Sequence, residues 1–279
     1  MIELHANGWK ALVSPDFGMN TLFLSYQGEE IFRSPPDMDQ VSRGTCVYGN
    51  PILLPANRTD GGRFQYKGVN YQLPLNEPQH NNHIHGAVYM SAFHVDSHSS
   101  EHIAGHYENK GEIYPFAFRI DIYYWIKEGY NQRYIITNTG NKIMPFSFGL
   151  HTNFNERKSF SVDIKTRWEK TKRHIPTGVQ LDLNEREIQY RTGFVFDGTP
   201  VSGFYSAEGH RAEIGDYLYE VSDNFNQWTL WNGNGNQGFI SIEPQCGAVN
   251  ALNSGIGLKL LEPNQSETFF VKVRQNIAK

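Results

Sequence analysis

The chain has 279 residues, 25 Lys+Arg against 29 Asp+Glu, and a formal net charge of −4. A 39% hydrophobic and 14% aromatic composition is too apolar for a disordered chain, and no basic stripe points to nucleic acid. No uncharged apolar run reaches the roughly 18–20 residues that a membrane helix needs.

The start, Met1-Ile-Glu-Leu-His-Ala-Asn-Gly8, lacks the basic and apolar regions of a secretory signal, so a cytoplasmic protein is expected. Ser34-Pro-Pro-Asp37 reads as a local turn. Cys46 and Cys246 are too few for a disulfide framework and lack a C-x-x-C spacing. Lys67-Gly68, Glu128-Gly129 and Thr139-Gly140 punctuate stretches of alternating polarity. Asn and Gly tolerate the positive φ of tight hairpins. In Phe116–Ile126 the even positions are apolar, with Arg119 and Asp121 on the other face. Ser161–Lys165, Gly238–Glu243 and Phe269–Arg274 repeat this period of two, the signature of half-buried strands. The run Asn232–Gly238 is expected to join a strand Gln227–Trp231 to one ending at Glu243. Long helical periodicity with a cap in front is missing. These elements predict one large all-β domain over residues 1–279, an antiparallel sandwich or barrel rather than a βαβ sheet.

Seven of the eleven histidines fall between His80 and His106. His94, His98, His102 and His106 read as exposed strand and loop residues. His83-Ile-His85 could place two imidazoles on one strand face, as in metal-binding barrels of the cupin type. The acid that such a motif wants shortly afterwards is missing, since Gly86-Ala-Val-Tyr-Met-Ser-Ala-Phe93 follows.

Five segments taken together say more. They are Gly49–Arg58, Tyr66–Asn76, His83–Gly86, Phe148-Gly-Leu-His-Thr-Asn-Phe-Asn155 and Ile240-Ser-Ile-Glu-Pro-Gln-Cys-Gly-Ala-Val-Asn-Ala-Leu-Asn253. In that order the chain resembles the aldose 1-epimerase (galactose mutarotase) family along nearly its whole length. The resemblance implies a large antiparallel β-sandwich of the galactose mutarotase type with few short helices. It also implies a cofactor-independent interconversion of the α and β anomers of a free sugar. By matching position, Glu243 is the base at the anomeric hydroxyl and His151 the acid at the ring oxygen. His85 would bond near the ring oxygen, and Arg58 would bind sugar hydroxyls through its fixed fork of donors. Asn57 is expected to set a turn. A substrate-binding aspartate is implied between His151 and Glu243, and Asp197 is the nearest candidate. Trp231 and Phe154 are candidate cleft aromatics. Arg63 and Lys67 could read a phosphate at the cleft edge, although the absence of a basic excess favours neutral sugars. The rival readings are a catalytically silent carbohydrate-binding protein on the same fold, or a metal-dependent cupin-like enzyme. A small-molecule sugar is the expected partner, with neither nucleic acid nor membrane.

Overall fold

The alternating stretches become strands in the computed structural model, which describes residues 1–276. Along Phe118–Ile126 every second residue (Phe118, Ile120, Ile122, Tyr124, Ile126) is buried. Removing such a side chain from water contributes about 1.5–3 kcal/mol each, which fixes which face turns inward. The strand pairs with His102–Asn109 on one side and Tyr130–Asn138 on the other, both antiparallel.

These strands belong to a 15-stranded sheet. Its path continues through Ser266–Gln275, Tyr217–Val221, Ser202–Ile214, Gln227–Trp231 and Phe239–Cys246 to the short strands Phe148–Leu150 and Ile52–Leu53. A four-stranded meander, from Ile2–Ala6 to Glu29–Glu30, shares its hydrophobic core with that sheet. The fold is therefore all-β, with large antiparallel sheets and three short helices among the described residues. None of those helices is long and apolar enough to cross a membrane.

The longest helix, Glu185–Thr192, escaped the sequence reading because it has little apolar periodicity. Its signal was the cap. Asn184 Oδ1 accepts from the Glu187 amide at 2.9 Å, and the Asn184 amide donates to Glu187 Oε2 at 3.0 Å. Glu243 also differs from expectation. It does not end a strand but sits inside Phe239–Cys246, all of whose residues are buried, opposite Thr229 of the neighbouring strand. The expected hairpin between Trp231 and Phe239 is present.

Candidate active site

The buried strand Phe239–Cys246 forms the floor of the site. On one side it pairs with Gln227–Trp231, which brings Thr229 beside Glu243. On the other side its partner is interrupted: Gly149 faces Gln245 and Thr152 faces Ile242. His151 occupies that interruption. Its Nε2 lies 3.4 Å from Glu243 Oε1, with the two side chains 7% and 2% exposed.

Neighbouring amides hold this pair in orientation. Asn153 Nδ2 donates to the carbonyls of Cys46, Gly49 and His151, so its Oδ1 must face the other way. That oxygen accepts from Ser241 Oγ at 2.6 Å and stands 3.2 Å from His151 Nδ1. With Nδ1 as the donor, Nε2 is the nitrogen presented to Glu243. Gln245 Nε2 donates to Glu243 Oε2 at 3.0 Å.

Burial drives both partners towards their neutral forms. The Glu243 carboxyl is raised to about 8, with Arg58 and Gln245 pulling partly back. His151 falls to about 4, opposed in part by its bond to Asn153. Glu243 as base and His151 as acid call for a carboxylate beside an imidazolium, and burial favours the opposite pairing, a carboxyl beside a neutral imidazole. The water-poor setting penalises the charge on either partner.

Arg58 arrives from a separate two-stranded ribbon, Arg58–Asp60 paired with Asn82–Ile84. Asn57 turns the chain into it with a left-handed φ of 54°, as expected, and its Nδ2 donates to Thr229 Oγ1 at 3.3 Å. The Arg58 Nε and Nη2 donate to the two oxygens of Glu77 at 2.8 and 2.7 Å. Glu77 also accepts from Asn82 Nδ2 at 2.9 Å, and His80 Nδ1 lies 3.1 Å away. Burial alone would raise Glu77, but these partners, Arg58 foremost, hold it at about 2. Nη1 of Arg58 is outside this clamp and approaches only Asn57 Oδ1, at 3.4 Å.

His85 follows directly on the ribbon. Asn76 grips the backbone of Ile84 from both sides, at 2.7 and 2.8 Å, and the His85 amide donates to Asn57 O at 2.9 Å. His85 (φ 67°) and Gly86 (φ 68°) then turn the chain, and a Cβ on Gly86 would lie 1.8 Å from Leu54 O. The His85 ring meets His151 edge to face, 5.3 Å between centroids, and burial with the nearby His151 and Arg58 keeps it well below the ordinary imidazole pKa.

Arg58, His85, His151 and Glu243 thus line one cleft of about 630 Å³, with Trp231 beside His151 at 6.1 Å. Asp197 is not brought there. It lies at the surface, 46% exposed, and binds Arg186 and Thr199. Phe154 packs in the core against Phe32 and Tyr219. Arg63 and Lys67 belong to the hairpin Arg63–Gln72 and line other surface hollows. The paired-histidine geometry of the cupin reading is not formed either. The strand ends at Ile84, His83 is buried with Nδ1 2.7 Å from Pro74 O, and His85 leaves in a left-handed turn. No cluster of three metal-binding side chains occurs among the described residues. Sequence reasoning missed Glu77 and Asn153, although Glu77 follows directly on Asn76, where one quoted segment ended, and Asn153 lies inside another.

The comparisons with known proteins agree with this architecture. A galactose mutarotase-like protein from Clostridium acetobutylicum superimposes with a TM-score of 0.90 at 25% identity, covering 98% of this chain and 94% of that one. The galactose 1-epimerase of Lactobacillus acidophilus NCFM gives 0.78 at 18% identity, covering 98% and 93%. The uncharacterised protein YphB of Escherichia coli K12 is 27% identical over 104 residues, 37% of this chain and 36% of that protein. Residues 18–274 match the aldose 1-epimerase family model, and the chain belongs to that family.

Proposed function

We propose that the cleft opens and recloses the ring of an aldose, exchanging its α and β anomers. The observation that carries this reading is the 3.4 Å approach of His151 Nε2 to Glu243 Oε1 inside a buried cleft that also holds Arg58 and His85. Ring opening removes a proton from the anomeric oxygen and delivers one to the ring oxygen. Both oxygens are bonded to the same carbon, so an acid and a base that nearly touch can reach both.

The proton count decides how the cycle runs. With Glu243 at the anomeric oxygen and His151 at the ring oxygen, opening a cyclic sugar needs carboxylate and imidazolium. Closing the free aldehyde needs carboxyl and neutral imidazole. Both forms carry one proton on the pair and differ by a transfer between Nε2 and Oε1. Burial favours the form that closes rings. Rotation about the C1–C2 bond before closure yields the other anomer. Arg58, neutralised behind by Glu77, offers its remaining donors to sugar hydroxyls.

The test is anomer exchange followed by NMR, or the optical rotation of freshly dissolved α-glucose and α-galactose. The protein is expected to accelerate the approach to equilibrium, and Glu243→Gln and His151→Asn are each expected to remove most of that acceleration. Sugar binding by calorimetry with exchange at the buffer rate would make the protein a carbohydrate binder instead. Unchanged rates in both variants would overturn the assignment of the pair.

A further inference from the structure

The cleft is rich in hydrogen-bond donors and poor in acceptors that carry charge. Glu243 is the one carboxylate among the described residues that line it, and that group is pushed towards its neutral form. The aspartate expected to receive sugar hydroxyls lies elsewhere, tied to Arg186. At one end, by contrast, positive and protonatable groups gather. His80 and His174 meet edge to face with ring centroids 4.8 Å apart, and both line the cleft. His174 is fixed there by a left-handed φ of 58° and by its neighbour Arg173, which donates to His80 O and Asn81 O at 2.8 Å. Lys170 ends the strand that precedes this loop. Its Nζ bonds Ser202 O and Oγ at 3.3 and 3.2 Å and lies over the Phe204 ring. Ser202 and Phe204 line the same cleft. No described carboxylate lies within ion-pairing distance of this half-buried ammonium; Glu187, the carboxylate whose charge reaches it, is paired with Arg167. Glu77 faces His80 at 3.1 Å and is already engaged by Arg58, so holding Lys170 half-buried and unpaired costs free energy that a bound anion would return.

We propose that this end of the cleft, built from Lys170, His174, His80 and Ser202, receives an anionic substituent carried by the sugar, such as a phosphate, sulfonate or carboxylate. The proposal rests on reading the cleft as a sugar site and names the class of sugar. It reverses the expectation drawn from net charge, because the local arrangement and not the total of −4 is what a ligand meets. A second consequence concerns protons. Burial and the charges of Arg58, Lys170 and His80 hold His174 below the ordinary imidazole pKa, with Glu77 the opposing charge nearby. An anion seated against His174 raises that pKa, so binding takes up protons.

The experiment compares glucose, galactose and mannose with their 6-phosphates, and with glucuronate, by calorimetry and by NMR anomer exchange. At least one anionic sugar is expected to bind at least ten-fold more tightly than its neutral parent. Its affinity should weaken with added salt, and its binding heat near pH 6.5 should change with the ionisation enthalpy of the buffer. Lys170→Gln should lower kcat/KM for that sugar at least ten-fold relative to the neutral parent, and His174→Gln should abolish the proton uptake. Equal or tighter binding of the neutral sugars in wild-type protein overturns the subsite. So does a Lys170→Gln variant that affects both sugars equally. Preferential binding of the anionic sugar with no acceleration of exchange keeps the subsite and overturns the epimerase reading. Acceleration confined to neutral sugars does the reverse. Should Lys170→Gln fail to fold, the salt and buffer dependence of the wild-type protein decides alone.

Discussion

Two of the molecule's imidazole–carboxylate pairs stand in opposite surroundings. On the outermost hairpin of the large sheet, His106 Nδ1 lies 2.8 Å from Asp96 Oδ1, with side chains 22% and 41% exposed, and the His94 ring is 5.1 Å from His106. In the cleft, His151 and Glu243 are 3.4 Å apart and almost fully buried. By residue type and distance the exposed cluster is the more inviting. What separates them is water. An exposed ion pair is screened and contributes about 0–1 kcal/mol, whereas the buried pair stands under a desolvation cost that changes which form of each group is present. The difference teaches that proximity of an acid and a base is common, and that burial with fixed partners gives proximity its chemistry.

The sharpest way to break this comparison is to remove the buried pair. Glu243→Gln and His151→Asn are each expected to lower the exchange rate by about 10²–10⁴, or about 3–5 kcal/mol in activation free energy. The double variant should lose little more than either single one, because the two act as one unit. Additive losses measured by NMR exchange would separate their roles.

The next effect is on stability. Glu77→Gln leaves the Arg58 guanidinium without its buried counter-charge and should cost about 3–5 kcal/mol in urea unfolding at pH 7. The Glu77 carboxyl is held at about 2 against an ordinary 4.5. Its contribution is therefore complete above about 4.5 and is lost as pH falls towards 2. The gap between wild type and variant should narrow at pH 3.

A pH profile sharpens the comparison further. The buried pair gains its second proton below about 4, when His151 charges, and loses its last above about 8, when Glu243 ionises. kcat/KM should be flat between these values and fall about ten-fold per unit beyond them. A profile governed by a single group near 6.5 would contradict the one-proton couple. The smallest effect is expected at the exposed pair: His106→Ala should change stability by about 1 kcal/mol or less and leave the exchange rate as it was.

Much of this could be read before the structure, wherever the information is local in the chain. Alternation marks Phe118–Ile126 because one face of a strand meets the core every second residue. Arg58, His85, His151 and Glu243 were found because their segments occur in a recognisable order. The groups that orient them were harder. Glu77 is 19 positions from the guanidinium it holds, and Asn153 reaches Cys46 O across 107 residues, so neither role leaves a trace in local spacing. Asp197 misled for the same reason: it was the nearest aspartate between His151 and Glu243, but the chain binds it to Arg186 at the surface. Pro244 suggested that the strand stopped after Glu243. The strand continues past it to Cys246, so the carboxylate is enclosed within the strand and not at its end.

The cleft is assembled from two materials. Its floor is the strand Phe239–Cys246, buried at every residue, so its buried apolar side chains Phe239, Ile240 and Ile242 cannot change without disturbing the packing of the large sheet. Its rim, where His80 and His174 stand, is carried on connecting segments that face outward. Mutation at the rim can therefore change what the cleft admits at little cost to folding, while the buried His151–Glu243 pair below is held in place by the stability of the whole protein. An engineer seeking a new substrate should vary the rim and leave the floor alone.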